Sequence, residues 1–192
     1  GVDRWWAPFA YEGPLREVVA RMKYRNARAA APWLAAAMIA VLPVSDDAVA
    51  HDAVAHGAEL VTWAPTTSEH RRGRGFDAAE LLARRVARGL RLPVVRALDR
   101  RPGPPQTGLS GAARRAGPRF DPCRGSPARV LLIDDVATTG ATLAAAAAAL
   151  RTAGALQVTA LTAARTPPPR FSGEGVSFPE QRRRRWPVAC PE

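Results

Sequence analysis

One segment constrains the fold more than any other. Val130, Leu131, Leu132 and Ile133 form an uninterrupted branched apolar run, closed by Asp134 and Asp135 and followed by the small, hydroxyl-rich stretch Val136 to Thr142. That order predicts a strand, a turn at its carboxyl end, and a helix from Thr142 to Ala153 that stops at Gly154. Val158 to Ala163 reads as the next strand. Upstream, Leu60 to Ala64 is a short apolar run ending before Pro65, and Asp77 to Leu90 has a strong helical pattern. Leu92 to Leu98 is a plausible further strand. Pro14 to Tyr24 predicts an amphipathic helix through Leu15, Val18, Val19 and Met22, with a second helix over Ala29 to Leu42. Strands alternating with helices imply parallel pairing through crossovers. The expected class is therefore α/β, a mostly parallel twisted sheet flanked by helices, with ligands gathered at the carboxyl ends of the strands.

A chain of 192 residues suits one domain. Its expected organisation is an N-terminal helical hood over 1–58, a core over 59–165 and a Pro/Arg-rich tail over 166–192. The tail carries the Pro triplet 167–169 and the Arg run 182–185, cannot bury much surface, and is expected to stay disordered. Arg100 to Pro127 is rich in Gly, Pro and Arg. So long a stretch inside a compact domain is expected to be a lid or a disordered segment.

Composition excludes several classes. With 47% hydrophobic and 23% charged residues, the chain is an ordinary globular protein. Its longest alanine-rich stretch, Ala27 to Leu42, is interrupted by Arg28 and Pro32 and, at about 16 residues, is shorter than the roughly 20 a bilayer crossing needs. No signal peptide is visible and a cytoplasmic location is expected; the lack of an initiator Met suggests further sequence upstream. Cys123 and Cys190 stand apart without partners at metal-ligand spacing, and the five-residue spacing of His51 and His56 suits solvated surface histidines better than a joint metal site. The net charge is +11, and Lys23 is the only lysine among 28 basic residues. Arginine enrichment fits an anionic ligand and fits a GC-rich genome equally well.

The chemistry concentrates in 134–142. Amides at a helix N-terminus point outward unpaired and the helix dipole is positive there, which suits a phosphate. Gly140 permits close approach, and Thr138, Thr139 and Thr142 can add hydroxyl donors. Asp134 and Asp135 repel a phosphate, so they should face groups that donate hydrogen bonds or carry positive charge; the 2,3-diol of a ribose whose 5-phosphate sits in the turn meets that need. An ATPase-like strand end would require a GxxxxGK[ST] loop, and Lys23 stands in no such context.

These residues resemble the signature of the type I phosphoribosyltransferases, an apolar strand, an acidic pair and a Thr-Thr-Gly loop. Further segments are similar to ComF-type, competence-associated members: Phe9 to Tyr24, Trp63 to Leu82 with its Arg-Gly-Phe, and Gln106-Thr107-Gly108-Leu109-Ser110. The resemblance covers most of 9–165. It implies Asp134 and Asp135 as ribose-binding carboxylates of the catalytic centre and Val136, Ala137, Thr138, Thr139, Gly140, Ala141 and Thr142 as the 5-phosphate loop. It implies Pro65, Thr66, Arg71, Arg72 and Arg74 in a pyrophosphate loop, a solvated basic turn being the plainer reading. A flexible lid would carry Arg101, Gln106, Arg114 and Arg115. It also implies Mg2+ carried by the ligand, phosphoribosyl pyrophosphate as substrate and a nitrogen acceptor. The rival expectation is a non-catalytic module in DNA uptake, engaging nucleic acid or an ATPase partner through its basic tail. Two departures stand out: the family's cysteine zinc module is absent, and Asp77-Ala78 replaces a usual Asn-Gln. Trp5, Trp6 and Trp33 are either a hood over the base or core aromatics.

Overall fold

The structure is a computed structural model that describes residues 1–24, 28–43, 57–102, 118–123 and 125–167. His51, His56, Gln106, Arg114, Arg115, Cys190 and the tail from 168 onward, with Arg182 to Arg185, lie outside the described residues.

The elements in chain order are β1 (Arg4–Trp6), β2 (Phe9–Ala10), α1 (Gly13–Tyr24), α2 (Ala30–Ala40), β3 (Leu60–Trp63), α3 (Ser68–Arg74), α4 (Ala78–Leu90), β4 (Leu98–Arg100), β5 (Phe120–Pro122), β6 (Arg129–Ala137), α5 (Ala141–Thr152) and β7 (Gln157–Arg165). β3, β6 and β7 pair in parallel, with β1 and β2 end to end along the outer edge of β7. The architecture is α/β with a parallel sheet flanked by helices.

Strand alternation assigns the layers, because successive side chains on a strand point to opposite faces. Leu131 and Ile133 of β6 and Leu161 of β7 pack with Met22 of α1, Leu34 and Met38 of α2, and Leu82 and Val86 of α4. Their neighbours Val130, Leu132, Val158 and Ala160 pack on the opposite face with Leu143, Ala146 and Leu150 of α5. Leu131, Leu132, Ile133 and Leu161 are all fully buried. Each such leucine or isoleucine contributes roughly 1.5–3 kcal/mol of transfer free energy. Gly89 lets α2 approach α4, since a Cβ there would lie 2.5 Å from Ile39 Cδ1.

The structure corrects the sequence reading in four places. The N-terminal segment is not only helical: Arg4–Trp6 and Phe9–Ala10 are strands of the main sheet. Leu92–Leu98 does not form one strand. Val94 makes a single parallel bridge to Val61, and β4 begins at Leu98 in a separate ribbon. Pro93, lacking an N–H, suits an edge position and limits the pairing. Within the 100–127 stretch, β5 closes an antiparallel ribbon with β4. Finally, the loop assigned to 65–74 contains a helix, α3, capped by Thr67 Oγ1 accepting from His70 N at 3.2 Å and ended by Gly75 in the left-handed region at φ 73°.

Candidate functional site

A cavity of about 230 Å³ opens at the carboxyl ends of β3 and β6, the edge at which open α/β sheets gather ligands. β6 supplies Asp134, Asp135 and Val136, the turn after β3 supplies Thr66, and α5 supplies Thr142. Lys23 from α1, His70 and Arg74 from α3, Asp77 at the start of α4 and Arg100 from β4 complete the wall. Acids from three positions thus face cations from three elements.

The acid pair lies within the sheet and not beyond it. Parallel pairing continues through Asp134 opposite Thr162, Val136 opposite Ala164 and Ala137 opposite Arg165. The assigned 5-phosphate loop is therefore divided. Val136 and Ala137 belong to β6; Thr138, Thr139 and Gly140 make the turn; Ala141 and Thr142 begin α5. Gly140 has φ 76°, a conformation that costs any residue with a Cβ about 1 kcal/mol or more, and a Cβ there would meet Trp5 Cζ3 at 3.6 Å. α5 starts without a side-chain cap bond and without an acid in its first turn. Thr139 Oγ1 accepts from Ala141 N at 3.3 Å. The first turn of α5 thus carries no acid of its own, and Thr139 takes one of its amides.

The two acids have different surroundings. Asp135 is buried, and its Oδ1 lies 2.9 Å from Lys23 Nζ, the two side chains being 12% and 20% exposed. The same oxygen accepts from Val136 N at 2.6 Å. Asp134 is only partly buried, and its Oδ1 accepts from Asp135 N at 2.8 Å. Loss of solvation, then the charge of Asp135, push the Asp134 carboxyl well above the ordinary carboxylate range. Asp77 is raised more modestly, chiefly by burial, against the hydrogen bonds it accepts. Its Oδ2 accepts from Thr66 N at 2.8 Å and its Oδ1 from Ala79 N at 3.0 Å, so it caps α4 and ties the 64–67 turn to that helix. Arg100 is shifted down by burial, opposed by the charges of Asp134 and Asp77.

Of the residues assigned to a pyrophosphate loop, Thr66 and Arg74 line the cavity, whereas Arg71 and Arg72 are exposed on α3 and Arg71 reaches Glu80 at 3.5 Å. Arg101 is exposed and bonds Asp121 across the β4–β5 ribbon; its neighbour Arg100 lines the cavity instead. Lys23, His70, Asp77 and Arg100 are cavity residues that sequence reasoning missed. Lys23 carried a signal as the one lysine in an arginine-rich chain, and Asp77 as the acid at the start of the 77–90 helix. The tryptophans divide: Trp5 packs on the α5 side and donates to Thr162 Oγ1 at 3.1 Å, Trp6 packs on the opposite side, and Trp33 is 54% exposed and stacks on Phe9 at 5.1 Å.

Fold and site together define an α/β protein compatible with a Rossmann-like arrangement, with an ionic cavity at the carboxyl edge of its sheet. No family model, curated protein or solved structure matches the chain. No described helix is long and apolar enough to cross a membrane.

Proposed function

We propose that the chain is a type I phosphoribosyltransferase of ComF type that binds phosphoribosyl pyrophosphate with Mg2+ and passes the phosphoribosyl group to a nitrogen acceptor. The observation that carries this reading is the continuity of β6, its acid pair, the Gly140 turn and the uncapped start of α5. One end of that unit suits sugar hydroxyls and the other a phosphate dianion. Hydrogen bonds to charged oxygens are worth about 1.5–3 kcal/mol each, so a few amides and threonine hydroxyls suffice to hold the 5-phosphate.

In the reaction the bond from the anomeric carbon to the pyrophosphate oxygen breaks and a bond to the acceptor nitrogen forms, the nitrogen losing a proton. Arg74 and Arg100 stand where a departing anion needs neutralising. A side-chain nucleophile is not required, because placement and charge neutralisation can supply the acceleration. In this reading Mg2+ enters on the diphosphate oxygens of the ligand. Bound there, it would offset leaving-group charge.

Isothermal calorimetry with phosphoribosyl pyrophosphate, with and without Mg2+, tests the reading. One site of micromolar to sub-millimolar affinity, strengthened by Mg2+ and lost in the Asp134→Asn, Asp135→Asn double variant, is the expected result; no binding at millimolar ligand overturns it.

The Lys23–Asp135 pair favours a second reading, in which the same ligand is bound and sensed without turnover, because one acid is already engaged by the protein. Pyrophosphate release across a panel of nitrogen acceptors separates the two. Binding without release by any acceptor supports the sensor.

A further inference from the structure

The acid pair is asymmetric, and residues far away in sequence make it so. Because neighbours on a strand project to opposite faces, Asp135 points to the side packed by α1 and α4, as Ile133 does, and Asp134 to the side packed by α5, as Leu132 does. On its side Asp135 meets Lys23, the last basic residue of α1, and its Oδ1 receives both the Lys23 ammonium and Val136 N. Asp134 has no ion pair among the described residues; its Oδ1 receives a neutral backbone N–H. The other charged or titratable groups that face the cavity are His70 and Arg74 from α3, Asp77 capping α4 and Arg100 from β4. Three carboxyls in one cavity of about 230 Å³ favour retention of a proton.

We propose that Lys23 is a positioning residue that holds Asp135 as the charged member of the pair and leaves Asp134 as the member that takes up a proton. The cavity then offers a vicinal diol one carboxyl that only accepts and one that both donates and accepts. Desolvation, then the charge of Asp135, raise Asp134 and outweigh the Asp135 N–H and the Lys23 charge, which act the other way. Taking the ligand to be a diol rests on the sugar-phosphate reading above; the division of charge is a property of the unliganded chain.

The test follows the aspartate side-chain carboxyl resonances by 13C NMR over pH in the unliganded wild-type chain, in Lys23→Met and in Lys23→Arg. In wild type, Asp134 should titrate well above ordinary aspartates and take up the proton before its neighbour does. In Lys23→Met the two signals should move together in coupled steps, as expected of two acids sharing one proton, and Lys23→Arg should restore the wild-type pattern. Wild-type Asp135 taking up the high-pH proton, or Lys23→Met leaving both curves in place, overturns the proposal. If Lys23→Met does not fold, the wild-type curves and Lys23→Gln decide. Calorimetry with ribose 5-phosphate forms the second arm, where Lys23→Met should weaken binding by about tenfold at neutral pH, the scale of one hydrogen bond to a charged group, and shift its pH dependence. Failure of wild type to bind ribose 5-phosphate sinks the sugar-phosphate reading and leaves the carboxyl titrations to judge Lys23.

Discussion

At Asp134, burial and a neighbouring charge work against ionisation together, and the result has a definite sign for stability. A carboxyl raised in the folded state binds more protons there than in the unfolded chain, so stability falls as pH climbs from the ordinary carboxylate value to the raised one. Asp77 adds a contribution of the same sign. Asp134→Asn keeps an oxygen to accept from Asp135 N and removes the charge. The variant should melt roughly 2–4 °C above wild type at pH 8, the equivalent of about 1 kcal/mol in a domain of this size, and the gap should close toward pH 4. Thermal unfolding followed by circular dichroism across that range checks it; a gap that widens on acidification contradicts the assignment. Asp77 shows how a single residue serves two elements, capping α4 while fixing Thr66 at the cavity rim. Each task uses a different carboxylate oxygen, Oδ2 for Thr66 N and Oδ1 for Ala79 N, which an asparagine with one accepting oxygen could not supply.

Between elements, the decisive junction is the one from β6 into α5. A helix start whose N-cap is a glycine and whose first turn has no acid forgoes part of the stabilisation that most helices take. An added acid should therefore help the fold and harm the site. Ala141 is exposed in the first turn of α5. Ala141→Glu is predicted to stabilise by about 0.3–1 kcal/mol through the helix dipole, and to weaken ribose 5-phosphate binding at least tenfold by placing negative charge at the phosphate position. Thermal melts and calorimetry on the same preparation measure both. A variant that is more stable and still binds normally would show that the anion site is not at this helix end.

At the scale of the whole molecule, the sheet is completed by residues at opposite ends of the described chain. β1 and β2 cover the outer edge of β7, Asp3 pairs with Arg151 at 2.7 Å and accepts from Val158 N at 2.7 Å, and Trp5 bonds Thr162. Removing residues 1–10 would bare the edge of β7, and an unpaired edge is a template for association. The truncated chain should lose its cooperative melt or aggregate in size-exclusion chromatography; an unchanged melting temperature would show that these strands are dispensable. The net charge is +11, and inside the cavity the three acids have Lys23, Arg74 and Arg100 from three different elements close at hand.

Much of this was written in local pattern. The 130–133 run, the glycine after the threonines and the helical periodicity of 14–24, 29–42 and 77–90 each depend on a few adjacent residues, and steric limits, hydrogen-bond geometry and burial act on such residues wherever the chain places them. The helix starts at 13, 30 and 78 lie within a residue of what that periodicity implies. What the linear chain could not state is who faces whom. Two adjacent aspartates read as a matched pair, and only the alternation of β6 inside a three-layer packing sends one to Lys23 and leaves the other beside Arg100. Likewise the Arg4–Trp6 and Phe9–Ala10 segments are too short to declare themselves as strands, because their pairing partner lies some 155 residues away in β7. Local sequence determined the elements and the glycine turn between β6 and α5; the tertiary structure decided the electrostatics of the cavity, because charge interactions depend on distance through space and not along the chain.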